Sequence, residues 1–250
     1  MLQYIWLIPL FPFVSSVLLM LTAGRLPRPV IALFGAGSVG LSALVVLLFG
    51  LQFMQSPTPH TLTLWTWMQV GDFAPQFSFY IDQLTLVMMS VITGVGFLIH
   101  LYSTEFMEDD SDYSRYFAYM NMFVAAMLIL VMADNLLLLF LGWEGVGVCS
   151  YLLVGFWYKD PANGAASRKA FVVTRVGDTA MALGLFLLFT ELGTLEIQPM
   201  LAAADNTWVS GDTLPAIAAL LLLGGAVGKS AQLPLHTWLP DAMAGPTPVS

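Results

Sequence analysis

The stretch that decides the fold is residues 116–158, which read YFAYMNMFVAAMLILVMADNLLLLFLGWEGVGVCSYLLVGFWY. Two apolar runs within it, Tyr116–Ala133 and Leu136–Tyr158, are each close to the ~20 residues that an α-helix needs to cross a bilayer. Only Asp134 and Asn135 separate the runs, so the two helices must be antiparallel neighbours. This stretch predicts a membrane protein built from several spanning helices.

The composition of the whole chain supports the same class. Of 250 residues, 58% are hydrophobic and only 10% are charged, whereas soluble domains carry about 25% charged residues. This excludes a compact water-soluble enzyme. Eight Lys and Arg against sixteen Asp and Glu leave no basic surface for nucleic acid. The single cysteine, Cys149, excludes a disulfide framework and a multi-cysteine metal or iron–sulfur site on this chain.

Five further apolar runs bring the number of predicted spans to seven. They are Leu2–Ala23, Val30–Met54, Leu84–Tyr102, Ala170–Phe189 and Leu214–Gly228. Six of the eight basic residues fall in or beside the first, third and fifth loops: Arg25, Arg28, Arg115, Lys159, Arg168 and Lys169. Because basic residues favour the cytoplasmic side, the N-terminus is predicted to lie outside.

The loop between the second and third spans, residues 55–83, carries two stretches of alternating polarity. Thr61–Trp67 and Gln76–Ile81 flank Val70-Gly71-Asp72. Alternation on both sides of a glycine-containing turn is typical of a β-hairpin. We therefore expect a small hairpin on the outer surface.

Gly35–Gly40 matches the G-x-G-x-x-G pattern of dinucleotide-binding proteins. That pattern binds pyrophosphate only at a turn between a strand and a helix. Here it lies inside the second span, so we interpret it as a surface where helices pack closely.

Four ionisable residues lie inside predicted spans. Glu144 is in the fifth, Arg175 and Asp178 are in the sixth, and Lys229 ends the seventh. Each such residue costs ~2.5–3.5 kcal/mol on insertion scales, and such residues often mark ion pathways. Two interpretations follow. The four charges could form a static ion-pair cluster, or they could relay protons, because a low dielectric favours the neutral forms of both lysine and carboxyl groups.

The seventh span is predicted to be discontinuous. Pro234, Pro240, Pro246 and Pro248 follow Lys229 closely, and proline ends a helix by removing a backbone donor. Interrupted helices beside an ionisable residue point to ion sites in transporters. His236 is a candidate supporting group at this break, because histidine is the side chain type that commonly serves as a proton shuttle.

Several of these segments together resemble a known family. They are Asp134–Leu136, Gly142–Gly145, Lys169–Asp178, Gly225–Pro234 and Trp238–Ser250. They look like the antiporter-like membrane subunits of respiratory complex I, the proton-translocating NADH:quinone oxidoreductase, and the similarity covers essentially the whole chain. The resemblance implies an all-α fold that forms the first part of an inverted-repeat antiporter-like architecture. Residues 1–110 would be an N-terminal three-helix segment with the hairpin, and residues 111–250 a truncated first repeat.

The resemblance also implies a function and its residues. Glu144, Asp178 and Lys229 would relay protons, while Arg175 matches the family pattern without a clear role. The chain would be a subunit of a translocase, with electron transfer, NADH, FMN, iron–sulfur clusters and quinone on other subunits. Family members are more than twice as long, so the resemblance implies a partial chain.

The expected partners and location follow from the same resemblance. The partners would be the lipid bilayer and the other membrane subunits, especially the neighbouring antiporter-like subunit. The location would be the bacterial inner membrane, or the inner mitochondrial membrane if the protein is organellar. Two alternatives stay open: a subunit of a multisubunit Mrp-type cation/proton antiporter, and a structural scaffold with an inactive ion path.

Overall fold

A computed structural model describes residues 2–71, 73–209 and 211–250. In these residues the chain forms eight α-helices and one antiparallel pair of strands. Their bounds are α1 Leu7–Thr22, α2 Arg28–Phe53, β1 His60–Thr66, β2 Gln76–Ile81, α3 Gln83–Phe106, α4 Tyr113–Met132, α5 Leu136–Val154, α6 Pro161–Leu192, α7 Ile197–Thr207 and α8 Thr213–Lys229. Short 3-10 helices occupy Leu2–Tyr4 and Asp241–Ala244.

The predicted helical architecture is confirmed. Each of the seven predicted spans contains a helix, namely α1 to α6 and α8. Five of these, α2 to α6, are long and apolar enough to cross a membrane. The other two, α1 and α8, have 16 and 17 residues, which is shorter than a full crossing requires. Large apolar side chains face outward, with Leu33, Leu84 and Phe186 each at least 67% exposed, as expected for helices in contact with lipid.

Two features of the helices differ from the prediction. The sixth helix begins at Pro161, well before the predicted Ala170, because Asp160 accepts a hydrogen bond from the backbone N–H of Ala162 (2.9 Å) and proline suits a first helical turn. The structure also contains α7, an unpredicted helix of 11 residues. This helix is too short to span a bilayer, so a search for apolar runs of spanning length does not find it.

The predicted β-hairpin is confirmed. Strands β1 and β2 pair from His60 with Ile81 to Thr66 with Gln76, with an irregularity between Thr63 and Trp65. Of the predicted turn, Val70 and Gly71 lie between the strands, and Asp72 falls outside the described residues.

The hairpin is fastened to the turn between α4 and α5. The backbone N–H of Asp134 donates to the carbonyl of Ser78 (3.1 Å), and the Ser78 hydroxyl donates to the Asp134 carboxylate (3.1 Å). Asn135 donates from its amide to the carbonyl of Gln76 (2.8 Å) and accepts from the backbone N–H of Leu138 (2.8 Å). The two-residue turn thus caps α5 and anchors the sheet.

Helix α4 is the central element of the N-terminal half, and it packs against α1, α2, α3 and α5. Its Asn121 is fully buried and accepts a hydrogen bond from Ser38 of α2 (2.6 Å). The glycine-rich segment of α2 is confirmed as a packing surface. Gly35 abuts Phe117, and a Cβ placed at Gly40 would lie 2.8 Å from the ring of Phe97.

Candidate functional site

The candidate site lies where α6 and α8 pack against each other with almost no side chains between them. A Cβ at Gly177 of α6 would lie 2.9 Å from both the Cα of Gly228 and the carbonyl oxygen of Gly224 in α8. Real Cβ atoms are not found that close to backbone, so glycine is required at this contact. The close approach brings Asp178 beside Lys229.

The four ionisable residues predicted inside the spans form one cluster. Arg175 makes an ion pair with Glu144 of α5. Lys229 Nζ lies 3.8 Å from Asp178 Oδ2, and Arg175 Nε lies 3.9 Å from the same oxygen. Among the described residues, no ion pair within 4.0 Å joins Lys229 to Glu144. The sequence alone does not distinguish Glu144 from Asp178 as the partner of Lys229, and in the structure that partner is Asp178.

Asp178 is the most deeply buried member of the cluster. Its side chain is 3% exposed, compared with 20% for Lys229, 22% for Glu144 and 32% for Arg175. Within the part of the chain that the structure describes, neither Asp178 Oδ2 nor Lys229 Nζ has a hydrogen-bond partner. The two groups therefore attract each other across a low-dielectric gap without a direct hydrogen bond that would fix the proton on either one.

Aromatic side chains complete the surroundings of the cluster. The indole N–H of Trp143 donates to Asp178 Oδ1 at 2.5 Å, and the centre of the Trp143 ring system is 5.5 Å from Lys229 Nζ. The guanidinium carbon of Arg175 is 4.4 Å from the centre of the Phe171 ring. Sequence reasoning missed Trp143 as a site residue. The available signal was its position beside Glu144, because a buried indole N–H usually finds a hydrogen-bond acceptor.

The predicted interruption of the seventh span is confirmed, since α8 ends at Lys229. Its last carbonyls are nevertheless satisfied. Those of Ala226 and Val227 accept from the backbone N–H groups of Ser230 (2.9 Å) and Gln232 (3.0 Å), and that of Gly228 accepts from the Trp238 indole (3.1 Å). A lysine in the last turn is also favoured by the negative end of the helix dipole. Three of the last four carbonyls of α8 therefore have hydrogen-bond donors although the helix stops there.

The structure does not bring His236 into the cluster. This residue is exposed on the segment after α8, and in the described residues its ring makes no hydrogen bond. The residue that this segment places near α8 is Trp238, whose indole N–H donates to the carbonyl of Gly228.

A cavity of about 230 Å³ lies against Lys229. Its polar lining comes from Ser150 and Tyr151 of α5 and Thr174 of α6, and Trp238 closes one side. Since a liquid water occupies ~30 Å³, the cavity has room for several. The arrangement can thus hold a proton on a buried lysine with space for water on one side and a carboxylate on the other. In the described residues, no group of three or more His, Cys, Asp or Glu is placed to hold a metal ion.

Known proteins resemble this chain in sequence and in fold. Residues 133–250 match the family described as "NADH:quinone oxidoreductase/Mrp antiporter, TM", and residues 67–117 match "NADH-Ubiquinone oxidoreductase (complex I), chain 5 N-terminus". NADH-quinone oxidoreductase subunit L of Escherichia coli (strain K12) is 56% identical over 96% of this chain and 40% of its own length. The subunit L of Mycobacterium tuberculosis (strain ATCC 25618 / H37Rv) is 42% identical over 99% of this chain and 39% of its own length.

Two solved structures share the fold. The Mrp complex from Dietzia sp. DQ12-45-1b has a chain that aligns with a TM-score of 0.84 and 27% identity, over 98% of this chain and 26% of that chain. A chain of the membrane-bound sulfane sulfur reductase, an archaeal respiratory membrane complex, aligns with a TM-score of 0.84 over 99% of this chain and 49% of that chain. At 19% identity, this second match shows the fold alone.

The helices, the broken α8 and the buried charges define an integral membrane protein with the antiporter-like architecture. The chain spans about 40% of the length of the curated relatives that it matches. Within that class, its sequence is similar to that of NADH-quinone oxidoreductase subunit L over nearly the whole of this chain.

Proposed function

We propose that this chain is part of a proton-translocating membrane subunit of NADH:quinone oxidoreductase. The observation that carries the proposal is the Lys229–Asp178 pair, whose charges lie 3.8 Å apart with Asp178 almost fully buried. Burying ionisable groups is costly, and replacing a buried ion pair with apolar residues is often neutral or stabilising. A function that needs these charges therefore explains them better than stability alone.

The proposed relay has three proton-carrying groups, Lys229, Asp178 and Glu144. Lys229 holds a proton and passes it to water in the adjacent cavity, becoming neutral. Asp178 and Glu144 are the carboxylates that compete for the cations. Arg175 touches both acids, since it pairs with Glu144 and its Nε lies 3.9 Å from Asp178. A shift of Arg175 toward Asp178 would leave Glu144 free to accept a proton, and the reverse shift would expel that proton. Arg175 thereby acts as the supporting cation of the relay.

His236 is proposed only as a group at the mouth of this path. It is exposed beside the break after α8, in contact with water. The cluster itself consists of the four residues on α5, α6 and α8.

The redox chemistry is proposed to lie on other subunits. NADH, FMN, the iron–sulfur clusters and quinone would bind there, and electron transfer would drive the relay in this chain. The proposed partners are the other membrane subunits, especially the neighbouring antiporter-like subunit. Within the chain, residues 1–110 are proposed as the N-terminal segment and residues 111–250 as the first part of the antiporter-like repeat.

The proposed location is the bacterial inner membrane, with the N-terminus outside. The positions of basic residues at one end of the helix bundle support this orientation. There Arg28 donates to the carbonyl of Glu108, and Arg115 donates to the carbonyl of Phe156 (3.0 Å), so basic side chains from the first turns of α2 and α4 tie the helix ends together. The hairpin is fastened at the other end, beside Asp134. By the positive-inside rule, the basic end faces the cytoplasm.

The decisive experiment replaces Lys229 in the assembled complex. We expect Lys229→Ala to lower the rate of NADH-driven proton translocation to less than a tenth of the wild-type value, since a positioned proton-transfer group contributes ~100-fold or more to a rate. Lys169→Ala is the matched control, because Lys169 forms an exposed ion pair with Asp241 (2.6 Å) away from the cluster. Normal translocation by Lys229→Ala at normal assembly would refute the relay and favour a structural scaffold.

A second candidate function is cation/proton exchange in a multisubunit Mrp-type antiporter. The match of residues 133–250 and the alignment to the Mrp complex chain favour it. Vesicles containing the whole complex distinguish the two. Sodium-dependent proton movement without NADH or quinone would establish the antiporter, whereas movement that requires NADH oxidation would establish the redox-driven pump.

A further inference from the structure

The indole of Trp143 contacts both members of the buried pair at once. We propose that Trp143 is a positioning residue of the relay: its N–H holds one oxygen of Asp178 so that the other oxygen faces the two cations. This inference rests on the proposed function for its consequences, although the positioning itself can be measured separately.

The two oxygens of Asp178 have different surroundings. Oδ1 accepts the Trp143 N–H at 2.5 Å, while Oδ2 lies 3.8 Å from Lys229 Nζ and 3.9 Å from Arg175 Nε. A carboxylate can accept from several directions and rotates freely unless a donor selects one orientation. Since Asp178 is 3% exposed, water has little access to replace the indole. Trp143 is therefore the group that aims Oδ2 at the cations.

The indole is itself held in place by packing. Trp143 packs against a buried apolar cluster that includes Met181 and Leu185 of α6. Its ring faces Lys229 Nζ at 5.5 Å, a range in which a cation is attracted to an aromatic ring. One side-chain conformation thus fixes the orientation of the acid and adds an attraction on the base. Trp143 also neighbours Glu144 in the chain, so a movement of α5 would alter both acids together.

The chain offers a matched control for this hydrogen bond. Trp157 also donates its indole N–H to a carboxylate, Asp110 Oδ2, at 2.9 Å. That pair is exposed at the end of the bundle and lies outside the cluster. Replacing each tryptophan by phenylalanine removes the same donor in two different settings.

The experiment measures the rate of NADH-driven proton translocation by the assembled complex. We expect Trp143→Phe to lower this rate by about tenfold, as the loss of a hydrogen bond to a charged group would, and Trp157→Phe to leave it unchanged. Trp143→Gln, which keeps an N–H donor, should recover part of the loss. Adding Trp143→Phe to Asp178→Asn should cause no further loss, because the indole acts through that carboxylate. Independent, multiplying losses would overturn the proposal.

A spectroscopic readout separates this inference from the proposed function. In complexes with 13C-labelled aspartate, the carboxylate band that disappears in Asp178→Asn should shift in Trp143→Phe and stay in place in Trp157→Phe. If Asp178→Asn and Lys229→Ala translocate normally, the proposed function fails, and the band alone decides whether Trp143 positions Asp178. An unshifted band overturns the inference. So does failure of both Trp143 variants to assemble, since the indole would then serve the fold.

Discussion

The contact between Gly177 and Gly228 sets the distance between the acid of α6 and the base of α8. In Gly177→Ala, the new methyl group would lie 2.9 Å from the Cα of Gly228 and 2.9 Å from the carbonyl oxygen of Gly224. Both neighbours are backbone atoms that cannot turn aside, so α6 and α8 must move apart. Overpacking of this kind costs about 1–3 kcal/mol. The variant is therefore expected to be less stable and to have a wider cluster.

The electrostatic consequence can be estimated from the structure. Lys229 Nζ and Asp178 Oδ2 are 3.8 Å apart. At an effective dielectric constant of about 20, widening this gap by about 1 Å weakens the attraction by about 1 kcal/mol. An energy of that size changes an equilibrium constant about fivefold. We expect Gly177→Ala to lower the rate of NADH-driven proton translocation by about fivefold while the subunit still assembles.

The assay pairs proton translocation with thermal unfolding of the detergent-purified complex. Gly164→Ala is the control, because Gly164 also lies in α6 but a Cβ there meets nothing within 4 Å. Alanine is the better helix former, so the control should be unchanged or slightly stabilised. If Gly177→Ala behaves like Gly164→Ala in both measurements, the argument from close backbone packing is wrong.

Two further predictions concern the polar contacts that hold the bundle together. Asn135→Ala removes the cap on α5 and the hydrogen bond to the carbonyl of Gln76, so it should destabilise the protein by about 2 kcal/mol in thermal unfolding. The control Asn206→Ala, in the exposed α7, should have almost no effect on stability. Equal stability of the two variants would contradict the anchoring of the hairpin. Ser38→Ala removes the hydroxyl that donates to the side-chain oxygen of the fully buried Asn121, so it should lower the free energy of unfolding by about 1–3 kcal/mol. The control Ser90→Ala removes an exposed hydroxyl that is hydrogen-bonded only within its own helix, so its free energy of unfolding should be within about 0.5 kcal/mol of wild type. A loss as large as that of Ser38→Ala would show that the buried hydrogen bond contributes no more to stability than the exposed one.

Local patterns predicted most of the secondary structure. The alternation around Val70 predicted the hairpin, and the proline-rich segment after Lys229 predicted the end of α8. The early start of α6 and the presence of α7 were missed for different reasons. The first depends on a cap at Asp160 outside the apolar run, and the second is a short helix in a polar loop.

The sequence predicted which residues form the charge cluster, but it did not predict which of them pair with each other. Glu144, Arg175, Asp178 and Lys229 were identified because ionisable residues are rare in spanning helices. The role of Trp143 was missed because an aromatic residue in an apolar helix looks like ordinary packing until its N–H is seen to have an acceptor. His236 was proposed from its position next to the break, and the structure places it on the surface.

The sequence by itself determined that the chain is a bundle of apolar helices with four charges inside it. Hydropathy and charge are properties of single residues, and a rise of 1.5 Å per residue converts position into depth. Only the tertiary structure decided that Lys229 faces Asp178 while Glu144 faces Arg175. That choice depends on which helices touch and at what rotation. For α6 and α8, the close backbone contact between Gly177 and Gly228 leaves no room for a side chain at that point and brings Asp178 beside Lys229.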